Sequence, residues 1–148
     1  MSKLHLLIVS ALFSVFSLFP LTGSAQSKFN ADYPIFESTA EVDKIIVDLT
    51  STLKIDQLLV TVSGDQSVTA QNRAIVQQQL SALFPRKIKN HAVLIERESG
   101  EGFREKIDVF WADKQYLFTQ TITHERDDGV IVMEFIVNTS LSQIKPYF

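Results

Sequence analysis

Three polar side chains of types that transfer protons fall on one face of the sheet predicted by the second half of the chain: Glu105, Gln120 and His124. The strand pairing derived below places Glu105 opposite Ile122, with Gln120 and His124 as its diagonal neighbours. A carboxylate and an imidazole at that separation could act as general acid and base on an apolar ligand. The alternative is that all three lie at the sheet margin, near strand ends, and are solvated.

Other patterns that could do chemistry are weak. His124 is followed closely by the carboxylates Glu125, Asp127 and Asp128, but this run is a hairpin tip and lacks the spacing of a zinc or calcium loop. The sequence has neither a glycine-rich phosphate loop nor a recognisable context for a Ser-His-Asp triad. It also has no cysteine, which excludes disulfides and thiolate chemistry. We therefore predict neither a metal nor a cofactor.

The first 25 residues predict the compartment. Lys3 precedes an apolar run, Leu6 to Phe19, that is short for a membrane span, and the small residues Gly23-Ser24-Ala25 follow it. This order is typical of a secretory signal peptide cleaved after Ala25. We predict a signal peptide over 1–25, a single domain over 26–148, a periplasmic or secreted location, and no membrane association once the signal is removed.

Charge excludes one class of partner. The whole chain carries a net charge of −3, and removing Lys3 with the signal makes the remainder more negative. A nucleic-acid-binding domain needs a basic face, whereas the only basic cluster here is Arg86, Lys87 and Lys89. That cluster is interpreted as a solvated loop after a helix, so no nucleic-acid partner is expected.

Before residue 90 the apolar residues recur at helical spacing, which predicts three helices. Ser67 or Thr69 would cap the third helix at its start, and Pro85 would end it. The three apolar stripes are Val42, Ile45, Ile46, Leu49 and Leu53; Ile55, Leu58, Leu59 and Val62; and Ile75, Val76, Leu80, Leu83 and Phe84.

After residue 90 the apolar period becomes two, which predicts four strands. Short links force neighbouring strands to run antiparallel as a meander. With Asp113-Lys114 as a two-residue turn, Trp111 pairs with Tyr116, Val109 with Phe118, and Ile107 with Gln120. With Asp128-Gly129 as the next turn, His124 pairs with Met133, Ile122 with Phe135, and Gln120 with Val137. The strands are predicted at about 91–98, 102–112, 115–125 and 130–138.

These registers separate the side chains of the sheet into two faces. The apolar face carries Phe103, Ile107, Val109, Trp111, Tyr116, Phe118, Ile122, Met133, Phe135 and Val137. The polar face carries Arg104, Lys106, Asp108, Thr119, Thr121, Thr123 and Glu134. We predict an α+β fold in which the N-terminal helices pack on the apolar face of a four-stranded, curved antiparallel meander.

The order of elements resembles the cystatin-like or nuclear-transport-factor-two-like class. The likeness is carried by Gly102-Phe103 through Trp111, by Tyr116-Leu117-Phe118 and by Val130 to Val137. The resemblance implies a strongly curved sheet that wraps a helix and often leaves a conical pocket. Members of the class include isomerases, dehydratases, binding modules and dimerisation domains, so the resemblance alone implies little about function.

The predicted polar face also carries an apolar patch. Phe110 pairs with Leu117, and Val132 and Ile136 share their side. A monomer rarely exposes such a patch, so these four residues are candidates for a homodimer interface or for contact with a protein partner.

Three functions follow as hypotheses. The first is an exported, non-enzymatic module that binds a small apolar ligand or a protein partner. The second is an isomerase- or lyase-type enzyme that acts on an apolar small molecule through Glu105 and His124. The third is a protein inhibitor or immunity-type partner that uses sheet edges and hairpin tips as its interface.

Overall fold

A computed structural model of the chain describes residues 33–63 and 68–144. These residues form three helices and an antiparallel sheet, which confirms the α+β class. The predicted signal peptide lies outside the described residues, and no described helix is long and apolar enough to cross a membrane. The elements in chain order are β1 (Ile35–Phe36), α1 (Thr39–Ser51), α2 (Ile55–Ser63), α3 (Ala70–Leu83), β2 (Asn90–Ser99), β3 (Phe103–Ala112), β4 (Gln115–Arg126) and β5 (Gly129–Asn138).

Side chains cap the N-terminus of α1, and a change of backbone conformation ends the helix at its C-terminus. The Ser38 hydroxyl accepts a hydrogen bond from the Glu41 amide, and the Glu41 carboxylate accepts one from the Glu37 amide. Such reciprocal caps satisfy amides that a helix leaves without a partner. Leu53 adopts a positive φ of 56° just past the helix, so the Lys54 amide bonds back to the Leu49 carbonyl. The chain can then enter α2 almost at once.

The third helix begins and ends as its sequence predicts. Of the two proposed caps, Thr69 is the one used, since its hydroxyl accepts from the Asn72 amide at 3.2 Å. The helix ends at Leu83, two residues before Pro85. The amide of Ile88 then donates to the carbonyl of Ser51, which ties the connection into β2 to the end of α1.

The four predicted strands are observed, with ends that differ from the prediction by about one residue. The β3–β4 register is confirmed, including the pairs Val109–Phe118 and Ile107–Gln120 across the Asp113-Lys114 turn. A fifth strand, β1, was not predicted because two residues carry no periodic pattern. It pairs with β5, and the strand order is β1-β5-β4-β3-β2. Over residues 33–63 and 68–144 the sheet therefore has five strands rather than four.

The predicted β4–β5 register is wrong. Arg126 pairs with Gly129, so the turn residues are Asp127 and Asp128 rather than Asp128 and Gly129. A bulge then places one extra residue, Met133, in β5. A bulge reverses the facing of every residue beyond it, because side chains alternate along a strand. Ile122 consequently pairs with Glu134 instead of Phe135.

The prediction of which face the helices cover is also wrong. The helices pack on the face that carries Arg104, Lys106, Asp108 and the threonines of β4. Apolar residues at both ends of this face belong to the main core. The bulge at Met133 reverses the alternation of β5, so residues before and after it both point toward the helices. The sheet residues of that core are Phe36, Phe110, Leu117, Val130, Val132 and Val137, with Phe135 partly buried against them.

The proposed interface residues are therefore not a surface patch. Phe110, Leu117 and Val132 are buried beneath the helices, and the expectation that they face outward is wrong. Ile136 lies on the other face and is partly buried there. The alternation that separates these residues from Val109 and Phe118 is correct, but the helices lie on their side of the sheet.

The face away from the helices forms a second apolar cluster. Ile107, Val109 and Phe118 are buried in it, and Ile144, after the short 3₁₀ turn Leu141–Gln143, packs with them. Trp111 packs against its edge, and the half-exposed Tyr116 stacks on Phe118 at its end. The sheet thus has an apolar cluster on each face.

Candidate functional site

The candidate catalytic residues lie on the face away from the helices, and the structure brings only two of them together. Glu105 and Gln120 are fully buried, so they are not solvated residues at the sheet margin. Gln120 Nε2 donates to Glu105 Oε1 at 2.6 Å. Glu105 lies opposite Ile122, as predicted.

The third candidate, His124, makes a different contact. Its ring stacks on Phe103, with ring centroids 4.1 Å apart and planes 8° from parallel. It is half-buried near the end of β4. Among the described contacts, the carboxylate of Glu105 is joined to an amide and the imidazole of His124 to an aromatic ring. These contacts show what each side chain touches, and the proton-transfer pair stays a prediction.

A row of charges that sequence reasoning missed lies on the helix-covered face, and its members on β3 are buried. We call it the charged ladder. Three of its members alternate along β3, two come from β2 and one comes from α1, so it links three elements. Its members are Glu96, Arg104, Asp43, Lys106, Asp108 and His91.

Arg104 is the densest node of the ladder. Its two terminal nitrogens donate to the two carboxylate oxygens of Asp43 at 3.0 and 2.7 Å. Its Nε and one terminal nitrogen also reach Glu96 Oε1 at 2.8 and 2.6 Å. A bidentate carboxylate contact fixes the orientation of a guanidinium as well as its position. Arg104 thus joins α1, β3 and β2 at one point.

Lys106 and Asp108 continue the row toward the other end of β3. Lys106 Nζ lies 3.0 Å from Asp43 Oδ2 and 3.4 Å from Asp108 Oδ1. His91 Nε2 lies 2.7 Å from the same Asp108 oxygen, and the His91 ring stacks on Phe110 at 4.7 Å. His91 was interpreted from sequence only as the start of a strand. Here it forms the end of the ladder.

At the centre of the ladder the electrostatics favour the charged forms of Asp43 and Arg104. Burial raises the pKa of Asp43, but hydrogen bonds from Arg104 and Lys106 outweigh that effect and hold the pKa below its usual range. The hydrogen bond to Asp43 likewise raises the pKa of Arg104, so the guanidinium stays charged. The opposite charges neutralise one another. Through the ion pairs of Arg104 with Asp43 and Glu96, they hold α1 and β2 against β3.

Beside the ladder, β4 places threonines on the helix-covered face. The hydroxyls of Thr119, Thr121 and Thr123 are buried without a hydrogen-bond partner in the described chain, as is that of Thr50 on α1. A buried hydroxyl without a partner costs stability. The three threonines of β4 were assigned to a polar face away from the helices, and that prediction is wrong because the helices cover their face.

One signal could have revealed the ladder from sequence. Asp43 directly follows Val42, the first residue of the apolar stripe of α1, and so lies at the flank of the buried surface. An acidic residue there needs cations opposite it, and the alternation of Arg104 and Lys106 supplies them. The pairing joins residues 61 positions apart, which no local pattern identifies.

A second feature with functional potential is the edge of the sheet at β2. Within the described chain, nothing pairs with the outer side of this ten-residue strand. A bulge leaves Leu94 as an extra residue, and Leu94 and Val93 are 46% and 45% exposed. An unpaired strand edge is a template for another strand.

The hairpin geometry tells which residues of β2 point their backbone groups outward. Ala112 and Gln115 close a two-residue turn and form a hydrogen-bonded pair, so even-numbered residues of β3 bond to β4. The bond from the Glu125 amide to the Gly102 carbonyl agrees with this parity. Odd-numbered residues of β3 then bond to β2. The outward amides and carbonyls are therefore those of His91, Val93, Glu96 and Glu98.

Comparison with known proteins assigns no function to this chain. No family model, no curated protein and no solved structure matches the chain. Among residues 33–63 and 68–144, no three histidine or acidic side chains converge as metal ligands would.

Proposed function

We propose that the chain is an exported, non-enzymatic binding module that takes an extended segment of a protein partner along the outer edge of β2. The observation that carries the proposal is the unpaired edge itself, which presents outward backbone groups at His91, Val93, Glu96 and Glu98. Strand addition draws its affinity from main-chain hydrogen bonds and its specificity from alternate side chains. The exposed Val93 and Leu94 add apolar contact area.

The charged ladder supports this role because it makes the edge rigid. Glu96 and His91, near opposite ends of β2, are each bonded to a residue of β3, to Arg104 and Asp108 respectively. A strand held in its paired conformation loses little entropy when another strand joins it. The ladder therefore prepares β2 for binding, although none of its charges acts on a substrate.

The remaining parts of the proposal come from the sequence. The pattern over 1–25 supports export to the periplasm or beyond. The order of helices before a meander supports membership of the cystatin-like or nuclear-transport-factor-two-like class. Mass analysis of the exported protein tests the first point: the N-terminus should be Gln26, and intact Met1 in the membrane fraction would contradict it.

Site-specific photo-crosslinking in the native cell tests the binding edge. A benzophenone amino acid at Leu94 should give a discrete covalent adduct with a partner protein. The same group at Gln78, which is exposed on α3, is the matched control and should give none. Adducts from Gln78 alone, or equal adducts from both positions, would contradict the proposal that β2 is the binding edge.

A further inference from the structure

From the charges of β2 we infer the chemistry of the segment it binds: a strand with basic, acidic and basic residues in succession, and not a second copy of this chain. The inference rests on the proposed function, since it specifies the partner of the same edge. It is carried by Glu96, Arg97 and Glu98, whose alternating charges occupy the exposed half of the strand.

The two faces of β2 separate these three charges. Glu96 and Glu98 pair with Lys106 and Arg104 and therefore point to the helix side of the sheet. Arg97 pairs with Glu105 and points to the other side. The side chain of Glu96 remains 47% exposed although it accepts from Arg104. An incoming strand therefore meets negative charge on one face and positive charge on the other.

Register follows from the outward backbone groups. Glu96 and Glu98 would form hydrogen-bonded pairs with the added strand, and Arg97 would face its intervening residue. Directly opposed side chains lie close enough for opposite charges to stabilise the pair and for like charges to destabilise it. The complement is thus Lys or Arg, then Asp or Glu, then Lys or Arg. Because this order is symmetric, it holds for either strand direction.

A second copy of β2 presents the wrong charges. When Glu96 pairs with Glu98 of the other copy, Arg97 meets Arg97 and all three pairs are repulsive. Shifting the register by two residues places Glu96 opposite Glu96. Shifting it the other way places Glu98 opposite Glu98. Further shifts meet the bulge at Leu94 in one direction and run past the end of β2 at Ser99 in the other. Charges and bulges are the devices that protect edges from self-association, and here they also select a different partner.

Two blocked peptides test the inference on protein purified from the exported fraction. The first is Thr-Val-Thr-Lys-Glu-Lys-Thr-Val-Thr, and the second exchanges its charges to Glu-Lys-Glu. NMR hydrogen exchange should show that the first peptide slows exchange at the outward amides of Glu96 and Glu98. The charge-exchanged peptide should bind at least about tenfold more weakly than the first, since two or three attractive pairs become repulsive.

A matched pair of variants checks that the effect arises at β2. Glu98→Lys should weaken binding of the first peptide about tenfold, because one pair becomes repulsive and the local charge is reversed. Glu101→Lys makes the same change of charge at an exposed turn position outside β2 and should leave binding unchanged. Equal weakening by both variants would overturn the inference, because it would show attraction by net charge alone.

The remaining outcomes separate this inference from the proposed function. Equal protection by both peptides would overturn the charge preference and leave the binding edge standing. Absence of protection by either peptide would overturn both. Concentration-dependent protection of Glu96 and Glu98 in the protein alone would show that a second copy pairs with β2, which would overturn the exclusion of self-pairing.

Discussion

The two faces of the sheet have opposite compositions, yet both are largely buried. The helix-covered face carries most of the charged and threonine side chains, including Arg104, Lys106 and Asp108. The other face carries Ile107, Val109 and Phe118, which pack with Ile144 beyond the last strand. A polar strand face is therefore not necessarily a solvated face. It can be covered when the covering element brings compensating charge.

Asp43 on α1 supplies the compensating negative charge. Its carboxylate receives both Arg104 and Lys106, so the cations of β3 are desolvated against a partner rather than against apolar side chains. Apolar residues lie at the two ends of the helix-covered face: Phe110 and Leu117 at one end, and Val130 and Val132 at the other. The comparison teaches that a mixed face can be buried when its charges are paired and its ends are apolar.

The largest expected effect comes from adjacent residues on opposite faces. Leu117→Lys should lower the free energy of unfolding by more than about 4 kcal/mol, because it removes a fully buried side chain and buries a charge. Tyr116→Lys is the control: its side chain is 49% exposed, and the change should cost less than about 1 kcal/mol. Chemical denaturation followed by circular dichroism measures both. The reverse order would restore the original assignment of faces.

Breaking the charged ladder is the next test. Arg104→Met should cost about 2–4 kcal/mol, since Asp43 loses its bidentate partner while keeping Lys106. Arg126→Met removes the Asp128 contact at the exposed tip of the β4–β5 hairpin and should leave stability nearly unchanged, because a solvent-exposed ion pair contributes little. Urea unfolding of the two variants gives the difference. Equal, small losses would mean that the ladder is effectively a surface feature.

Removing the bulge of β5 should lower stability by a smaller amount, and a deletion in β4 provides the control. Deleting Met133 leaves Val132 and Glu134 opposite Thr123 and Ile122, so the strand becomes regular without turning any residue over. The expected cost is about 1–2 kcal/mol. Deleting Thr121 from β4, which has no such extra residue, would reverse half a central strand and should abolish folding. Thermal unfolding distinguishes the two outcomes, and loss of the fold on deleting Met133 would refute its assignment as the extra residue.

The smallest effect should be a gain. Thr121→Val keeps the shape of a buried side chain and removes a hydroxyl that has no partner, so stability should rise by about 1 kcal/mol. Thr61→Val is the control, because the Thr61 hydroxyl donates to the Gln57 carbonyl at 2.8 Å and its loss should bring no gain. Differential scanning calorimetry measures both. A loss on Thr121→Val would indicate that its hydroxyl is hydrogen-bonded in solution.

Local patterns predicted the elements well. Apolar spacing located the three helices, Thr69 and Pro85 marked the ends of α3, and alternation located four strands. The Asp113-Lys114 turn also predicted the β3–β4 register residue by residue. Each of these features depends on residues close together in the chain, where the spacing of side chains directly reflects backbone geometry.

The failures share a different cause. The extra residue Met133 and the pairing of β1 with β5 are visible only when two strands lie side by side. The contacts of Glu105 with Gln120 and of His124 with Phe103 likewise depend on which side chains the fold places side by side. The prediction assumed strict alternation along β5, so it assigned the residues beyond Met133 to the wrong face of the sheet.

By itself the sequence determined the α+β class, the positions of the main elements and the division of β3 and β4 into two sets of side chains. Only the tertiary structure decided which set the helices cover. Both sets contain enough apolar surface to attract a helix, so hydrophobic pattern could not choose between them. The choice depended on Asp43, which meets Arg104 across 61 residues of chain and makes burial of the charged face favourable.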